Sequence, residues 1–403
     1  MAPRQRVVVT GVGAVSAAGL GATAFWRAAV RGRAGLAPAT RFDLGEFGAP
    51  RIGEVPADVY SALMEATGAV EPAAAFALAA AEEALSHAGL DASSLPAASG
   101  AVLGTCLGGA LAAFDAIRRL DETHDPLAVS TLVRAGALSA PAHALAQRFS
   151  LAGPVLAVSS ACASGTAAIG LATQCIRRGE ADLVLAGGVD ALSRFVVAGF
   201  WLLRALASQE VRPFDRRRDG LALGEGAGVV VLEERERALR RGATPLAEVL
   251  GFGSSGDAHH MTGPSPEGDG VVRAAHAALR DAATGSDAVE FINAHGTGTP
   301  FNDRMESIAI KRVFGARARR IPVDSVKPIV GHTLGAAGAL EAIVCVGAIR
   351  EGIVPPTVNY AEPDPECDLD YVPGEARALQ VRRALSLSSA FAGSNAALLL
   401  GAP

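Results

Sequence analysis

The chain has 403 residues, of which 50% are hydrophobic and 19% charged, and its formal net charge is −5. This composition indicates an apolar globular protein long enough for two packed halves or domains, and the mild charge gives no indication of a nucleic-acid partner. No uninterrupted apolar run approaches the roughly 20 residues that a membrane-spanning helix needs, so we expect no membrane insertion.

The cysteines and the N-terminal residues indicate the cellular compartment of the protein. The N-terminal MAPRQRVVVTGVGAVS has no signal-peptide pattern. The five cysteines are odd in number, and no two have CxxC spacing. These features predict reduced thiols and a cytoplasmic protein. They also lead us to expect no structural zinc site and no other bound metal.

Apolar runs alternate with helical segments along the chain. The first part has a strand, two helices and a strand, in RVVVTGVGAVS, AFWRAAVRG, AAAFALAAAEEALSHAG and SGAVLGTCLGG. The middle has the strand GPVLAVSSA, the helix ASGTAAIGLATQCIRRGE, the strand DLVLAGG, a solvated loop RPFDRRRDG and the strand–helix pair GEGAGVVVLEERERALRRG. The last part has short strands in EFINAHGTGTP and IPVDSVKPIVGH and a strand–turn–strand in LSLSSAFAGSNAALLLG. The alternation predicts a layered α/β architecture with helices on both faces of the sheets.

Cys162 lies in VSSACASGTAAIG, on the predicted turn between a buried strand and an amphipathic helix. The free N–H groups and positive dipole end of that helix favour the thiolate over the thiol. The small neighbouring residues leave room for a substrate to approach the sulfur. The pattern indicates a nucleophile, with an ordinary buried cysteine as the alternative.

Two histidines follow apolar runs in polar, glycine-rich loops, His295 in NAHGTGTPFNDRMES and His332 in VDSVKPIVGHTLGAAGALEA. Strand-end loops are where α/β folds usually place their chemistry. His332 also precedes a predicted helix, whose N-terminus favours a neutral imidazole that donates a hydrogen bond. Each histidine taken alone is also compatible with a structural role.

One cysteine and two loop histidines fit carbon–carbon bond formation between thioesters. A thiolate takes an acyl group from one thioester. Two neutral imidazoles stabilise the enolate that remains when a malonyl thioester loses carbon dioxide, and this enolate attacks the acyl-enzyme. The spacing establishes only that these groups are available. A cysteine hydrolase stays open as an alternative, although it leaves the second histidine and Lys327 without a role.

Taken together, the motifs resemble those of the β-ketoacyl-[acyl carrier protein] synthases, in particular the elongating type II enzymes of the thiolase superfamily. The resemblance runs essentially end to end and rests on the order of VVVTGVGAVSAAG, SSACASG, RPFDRRRDGLALGEGAGVVVLEE, SSGDAHHMTGPSPEG, NAHGTGTPFNDRMES, SVKPIVGHTLGAAGALE, PPTVNYAEPDPECDLDYVP and AFAGSNAALLL. It implies the thiolase fold, a five-layered α/β/α/β/α core built from two similar halves. Residues 1–250 would form the half with the cysteine, and residues 251–403 the half with the two histidines and the gating loop.

The resemblance implies a role for each matching residue. Cys162 matches the acylated nucleophile, and His295 and His332 match the pair that supports malonyl decarboxylation. Lys327, one of only two lysines in the chain, matches the lysine that interacts with the second histidine region. Phe391 matches the gating phenylalanine, and its backbone N–H would form the oxyanion hole with that of Cys162.

The remaining matches concern loop orientation and substrate contacts. Asp303 and Glu306 match acidic positions after the first histidine, where they would orient loops by hydrogen bonds or transfer a proton directly. The matching substrate-binding residues are Thr297 and Thr299 on the pantetheine arm, Leu107 at the bottom of the acyl pocket or in plain core, and Arg204 in carrier docking.

Three segments depart from the family pattern. The gate reads SSAFAGSNA where relatives usually have GFGGTN, which predicts a less flexible and less apolar gate. The segment SALMEATGAVEPAAAFALAA lacks the basic residues with which relatives often dock the acidic carrier, although Arg204 remains. The segment WLLRALAS replaces smaller residues near the dimer face and the acyl pocket.

The implied activity is a decarboxylative Claisen condensation of an acyl group on Cys162 with malonyl-acyl carrier protein, giving β-ketoacyl-acyl carrier protein. No metal or organic cofactor is implied, since the phosphopantetheine arm arrives on the carrier. Two assignments compete: a homodimeric enzyme of fatty-acid elongation, and the ketosynthase of a specialised type II polyketide or polyene pathway with a chain-length-factor-like partner. The gate and the missing basic residues favour the second slightly.

Two further alternatives are disfavoured by particular residues. A non-catalytic chain-length factor would not need the intact Cys162, His295 and His332. A degradative thiolase needs a second cysteine near its C-terminal catalytic loop, and the closing FAGSN loop has none.

Overall fold

Two five-stranded sheets form the framework of the protein, as seen in a computed structural model that describes residues 4–403. In chain order the strands are β1 (Val7–Ser16), β2 (Gly19–Leu20), β3 (Ala37–Pro38), β4 (Arg51–Ile52), β5 (Ser99–Gly104), β6 (Val155–Val158), β7 (Leu183–Asp190), β8 (Gly226–Glu234), β9 (Ala247–Gly256), β10 (Phe291–Asn293), β11 (Val323–Asp324), β12 (Ile353–Val354), β13 (Arg377–Ala378), β14 (Arg383–Ser389) and β15 (Ser394–Gly401).

The strand order repeats between the two sheets. The first sheet has the order β6-β5-β7-β8-β1 and the second β11-β10-β14-β15-β9. When the five strands of each sheet are numbered in chain order, both sheets have the spatial order 3-2-4-5-1. In both sheets the first three strands are parallel, and the next two each run antiparallel to the strand before them. The sheets join where Val8 and Val9 of β1 pair with β9. The predicted division after residue 250 falls inside β9, the first strand of the second sheet.

Helices fill the layers around these sheets. In chain order they are α1 (Ala22–Val30), α2 (Ala57–Thr67), α3 (Pro72–His87), α4 (Ala110–Thr123), α5 (Ser130–Ala135), α6 (Ala140–Arg148), α7 (Ser164–Arg177), α8 (Arg194–Leu202), α9 (Arg235–Arg240), α10 (Asp269–Asp281), α11 (Pro300–Phe314), α12 (Lys327–Val330) and α13 (Ala337–Glu351). Across residues 4–403, no helix is both long enough and apolar enough to span a bilayer.

The packing of the helices gives five layers. Helices α7 and α13 contact each other and both sheets, so they form the central layer. Helices α3 and α6 cover the outer face of the first sheet, and α10 and α11 pack on that of the second. Three apolar cores lie between these layers. The structure therefore confirms the expected α/β/α/β/α thiolase fold.

The fold brings several strand ends to one place. The carboxyl ends of the parallel strands β5, β6, β10, β11 and β14 lead into the segments that hold the predicted site residues. In open α/β sheets this edge is where ligands bind. The N-terminal ends of α7 and α13 meet there closely, because a Cβ on Gly165 would lie 2.7 Å from the carbonyl oxygen of Gly335. Only glycine allows this approach.

Candidate active site

Cys162 lies in the turn between β6 and α7. Ala161, just before it, has a φ of 47°, a left-handed conformation that alanine rarely adopts. The Ser164 hydroxyl fixes the turn by accepting a hydrogen bond from the Ser160 N–H at 2.8 Å and donating one to the Ala161 carbonyl at 2.5 Å. The Cys162 side chain is 6% exposed and lies at the positive end of α7. The sequence pattern predicted this position, but its prediction of a buried strand is wrong, because β6 is the edge strand of its sheet and Leu156 is 38% exposed.

A second thiol, which sequence reasoning did not identify as functional, adjoins the first. Cys106 follows β5, and its thiol lies near enough to that of Cys162 for the two to shift each other's pKa. Buried Asp190 holds the Cys106 segment by accepting from the Cys106 N–H and the Leu107 N–H, each at 2.9 Å. The same carboxylate accepts from the Gly335 N–H at 2.6 Å. Asp190 thus ties the Cys106 segment to the loop that follows His332.

The surroundings of Cys162 stabilise its thiolate. The hydrogen bond with Cys106 is the main cause that lowers the pKa of the Cys162 thiol well below its ordinary value, against the opposing effect of burial. The neighbouring His332 side chain and the charge of Lys327 lower this pKa further. The same contact and burial raise the pKa of Cys106 well above its ordinary value. Cys162 is therefore the thiolate of the pair and Cys106 the donor.

Replacing Cys106 with alanine removes that donor. The pKa of Cys162 should then rise by about one to two units, as expected for a lost hydrogen bond to a charged group, so that alkylation by iodoacetamide reaches half of its plateau rate at a correspondingly higher pH. The pH dependence of alkylation, followed by intact mass, measures the shift. Cys175→Ala, a change toward the other end of α7, is the matched control. An unchanged pH profile in Cys106→Ala would show that His332 and the N-terminus of α7 are enough to lower the pKa of Cys162.

His295 follows β10 and is 3% exposed. Burial is the main cause that lowers the pKa of its imidazole well below the ordinary range, followed by the charge of Lys327 and the proximity of His332. The Lys327 ammonium lies 3.4 Å from His295 Nδ1. Because an ammonium group only donates, Nδ1 is an acceptor and the proton of the neutral ring is on Nε2. The ring is thus a neutral N–H donor.

His332 is held by the backbone of a neighbouring segment. Its N–H donates to the Ala222 carbonyl at 2.7 Å, and its carbonyl accepts from the Gly224 N–H at 3.0 Å. Gly331, with a φ of 76°, makes the turn that leads into this pairing. The rings of His332 and His295 are 5.2 Å apart and nearly perpendicular. The structure therefore brings the two predicted histidines together beside Cys162.

Lys327 contacts the first histidine directly, and it also reaches the predicted second-histidine region through Glu341 on α13. Its ammonium donates to the backbone carbonyl of His295 in addition to the approach to Nδ1. The physical reason is that β11, which leads to Lys327, lies beside β10, which leads to His295. The charge of Lys327 is balanced by Glu341 on α13, 2.5 Å away, and both side chains are at most 3% exposed. Sequence reasoning did not identify Glu341.

Asp303 and Glu306, both on α11, hold the loop of His295. Glu306 accepts from the His295 N–H at 2.6 Å and the Gly296 N–H at 2.8 Å. Asp303 accepts from the Phe214 N–H at 2.7 Å and from the loop backbone. Burial raises the pKa of both carboxyl groups, that of Glu306 to about 7. These contacts favour loop orientation over direct proton transfer.

A cavity of about 450 Å³ opens onto Cys162 and both histidines. Its lining also includes the predicted residues Thr297, Thr299, Phe391 and Arg204. Leu107 lies outside this lining and packs instead against the apolar cluster that contains Leu192 and Leu334. Its role in an acyl pocket stays a prediction.

The gate lies at the wall of this cavity. The ring of Phe391 stacks on that of Phe200 at 5.6 Å. Ala392 has a φ of 60°, where relatives usually have glycine, and its N–H donates to the Met261 carbonyl at 2.7 Å. An alanine in this conformation has less backbone freedom than glycine. The geometry supports the predicted stiffer gate.

Two other segments depart from the family pattern: the one that lacks basic residues, which includes part of α2, and WLLRALAS. Helix α2 exposes Asp58 and Glu65 and contains no lysine or arginine. In the WLLRALAS segment, Leu203 lines the cavity, and the ring centroids of Trp201 and Phe47 are 5.5 Å apart. Leu202 is 73% exposed.

Known proteins match this chain over its whole length. The family described as "Beta-ketoacyl synthase, N-terminal domain" matches residues 4–238, and "Beta-ketoacyl synthase, C-terminal domain" matches residues 246–361. A putative polyketide beta-ketoacyl synthase 1 of Streptomyces halstedii is 40% identical, over 99% of this chain and 98% of its own length. The 3-oxoacyl-[acyl-carrier-protein] synthase 2 of Coxiella burnetii is 39% identical, over 98% of each chain. The solved structure of the ishigamide ketosynthase/chain length factor superposes with a TM-score of 0.92 at 39% identity, covering 100% of both chains. The chain therefore belongs to the beta-ketoacyl synthase family.

Proposed function

We propose that this enzyme extends an acyl chain by decarboxylative condensation with malonyl-acyl carrier protein. The observation that carries the proposal is the placement of the Cys162 thiolate, His295 and His332 around one cavity, with Lys327 against His295. A thiolate and two hydrogen-bond donors supply the nucleophile and the enolate stabilisation that the reaction needs.

In the first half-reaction the Cys162 thiolate attacks the carbonyl carbon of an acyl thioester on the carrier. The backbone N–H groups of Cys162 and Phe391 would stabilise the tetrahedral oxyanion. The oxyanion collapses, the carrier thiolate leaves and takes up a proton, and the acyl group remains on Cys162 as a thioester.

In the second half-reaction malonyl-carrier loses its carboxylate as carbon dioxide. The bonding electrons move into the thioester and form an enolate, whose oxygen accepts hydrogen bonds from His295 and His332. The enolate carbon attacks the acyl carbon on Cys162, and the thiolate leaves. The product is β-ketoacyl-carrier. The loss of carbon dioxide drives the reaction, so we propose that no resident cofactor takes part.

We propose that the enzyme acts as a dimer in the cytoplasm, with its five cysteines reduced. An apolar face on and beside α4 and α5 is the candidate subunit interface, because Ile117 is 67%, Leu127 83% and Val133 58% exposed. Apolar patches of this kind mark subunit contacts. The ring of Phe114 on α4 lies against that of Phe195 in a tilted arrangement, with the ring centroids 5.0 Å apart.

A second candidate is the ketosynthase subunit of a specialised type II polyketide or polyene pathway, paired with a chain-length-factor-like subunit. Two observations favour it: the alanine-containing gate, and the similarity to a ketosynthase/chain length factor structure. Co-purification with a homologue that lacks the catalytic cysteine would support this assignment, whereas an active homodimer would support fatty-acid elongation.

The activity is tested by intact-protein mass after mixing the enzyme with acyl carrier proteins that bear acyl chains of several lengths. We expect one acyl adduct, located on Cys162 by peptide mapping, that malonyl-carrier discharges with formation of β-ketoacyl-carrier. Cys175→Ala is expected to form the same adduct. The absence of an adduct with every chain, for the enzyme alone and with its partner subunit, would contradict the proposal.

A further inference from the structure

We infer that a cavity between α1 and α13 binds a small amphipathic phosphate, that is, a phosphate monoester with an alkyl or acyl tail. The two helices pack against each other, and side chains from both line this α1–α13 cavity. Among residues 4–403, none of its lining residues also lines the catalytic cavity. The inference is therefore independent of the proposed function and concerns a separate site.

The floor of the α1–α13 cavity is apolar. Its buried lining residues are Val12, Ala22, Trp26, Leu246, Ile343 and Val346. The indole ring of Trp26 lies against Gly347 of α13, where a Cβ would come within 2.6 Å of the ring. Glycine is unfavourable inside a helix, but here it leaves room for the indole. The cavity has a volume of about 300 Å³, which is enough for a small ligand with an apolar part.

The rim of this cavity is basic. Arg27, Arg31 and Arg350 line it and are exposed, beside a single carboxylate, that of Glu351. Arg27 and Arg31 are one helical turn apart and therefore point to the same side of α1. Within the described part of the chain, none of these four side chains forms an ion pair. The rim thus has an excess of two positive charges, although the whole chain has a net charge of −5.

A neighbouring cavity adds to this positive charge. It has a volume of about 480 Å³ and shares Arg27 and Arg31 with the α1–α13 cavity. Its one other charged lining residue among those described is Arg33, which also forms no ion pair within residues 4–403. Three arginines without a carboxylate therefore lie together beside α1. A cluster of one sign of charge in a concave surface attracts ions of the opposite sign.

The class of ligand follows from the floor and the rim together. Guanidinium groups stay charged and form paired hydrogen bonds with phosphate oxygens. The two excess positive charges of the rim match a phosphate monoester, which carries close to two negative charges at neutral pH. The apolar floor favours a ligand with a tail, because only a tail removes apolar surface from water. A soluble phosphate ester and the head group of a phospholipid share this chemistry.

The test uses octyl phosphate as the probe and the fluorescence of Trp26 as the signal. The chain has two tryptophans, so a Trp201→Phe variant leaves Trp26 as the single emitter. We expect a saturable change in its emission with a Kd below about 1 mM. Octanol and inorganic phosphate each lack one half of the ligand and should bind about tenfold more weakly or less. Titration calorimetry measures the same affinities without the fluorescence signal.

The basic rim is tested by an Arg27→Gln/Arg350→Gln variant. Its affinity for octyl phosphate should fall about tenfold or more, because two charge-assisted hydrogen bonds are lost. Arg240→Gln/Arg320→Gln is the matched control, since both arginines are exposed, neither lines the cavity and the change in net charge is the same. This control should bind octyl phosphate within about twofold of the unaltered protein.

Sedimentation with vesicles of phosphatidic acid and phosphatidylcholine distinguishes the two sources of the phosphate. Vesicle binding that is lost in Arg27→Gln/Arg350→Gln would assign a lipid head group, whereas binding of octyl phosphate without vesicle binding would assign a soluble ester. The inference would be overturned if calorimetry detected no binding of octyl phosphate, or if octanol or inorganic phosphate bound equally well. Equal affinities of the two double variants would also overturn it, since the rim would then have no part in binding.

Discussion

Replacing Cys162 with alanine is expected to abolish the acyl adduct and to lower condensation by about 10³-fold or more, while carbon dioxide release from malonyl-carrier continues. Adduct formation and carbon dioxide release respond differently because acyl transfer and decarboxylation depend on different side chains. Acyl transfer needs the Cys162 sulfur as nucleophile. Decarboxylation needs only the donors of His295 and His332, which the substitution leaves in place.

The measurements are intact mass for the adduct and release of labelled carbon dioxide for decarboxylation. Cys106→Ala is the informative control, because it keeps the nucleophile and changes only the pKa of Cys162. Its adduct should form more slowly but to completion. Full condensation by Cys162→Ala would place the nucleophile elsewhere. Loss of both reactions, with a folded protein by circular dichroism, would show that the sulfur also takes part in the decarboxylation step.

The parts of the fold that could be predicted are those with a strong local pattern. The apolar run of β1, the alanine-rich α3 and the strand–turn–helix around Cys162 all lie where the sequence placed them. Each depends on neighbours in the chain, so periodicity and composition suffice. Both histidines were found for the same reason, since each follows an apolar run in a glycine-rich loop.

The residues that were missed depend on distant contacts. Glu341 lies in GALEAIVCVGAI, where a single acid in an apolar helix is a signal, because a buried charge needs a partner. The sequence pattern does not identify its partner, Lys327. The RPFDRRRDG segment was predicted to be a solvated loop, which is wrong for Asp215 and Arg218. Asp215 accepts from the N–H groups of Ala361 and Glu362, and Arg218 pairs with Asp364.

The buried pair of Lys327 and Glu341 gives the second large expected effect. Glu341→Ala leaves the Lys327 ammonium without its carboxylate, and removal of one partner from a buried pair costs about 3–5 kcal/mol of unfolding free energy. Guanidinium denaturation measures this loss. Glu351→Ala, an exposed acid at the end of the same helix, is the matched control and should have little effect.

A double variant, Lys327→Met/Glu341→Leu, separates stability from catalysis. Both charges are gone, so much of the lost unfolding free energy should return. Activity should not return, because His295 Nδ1 has lost the ammonium that keeps the ring proton on Nε2. Decarboxylation should then fall about 10²-fold, the usual contribution of one positioned proton-transfer or donor group. Acylation of Cys162 should fall less, since Cys106 and His332 still lower its pKa. A double variant that recovers both stability and decarboxylation would show that the pair only supports packing, and that His295 keeps its orientation through the Glu306 contact to its backbone.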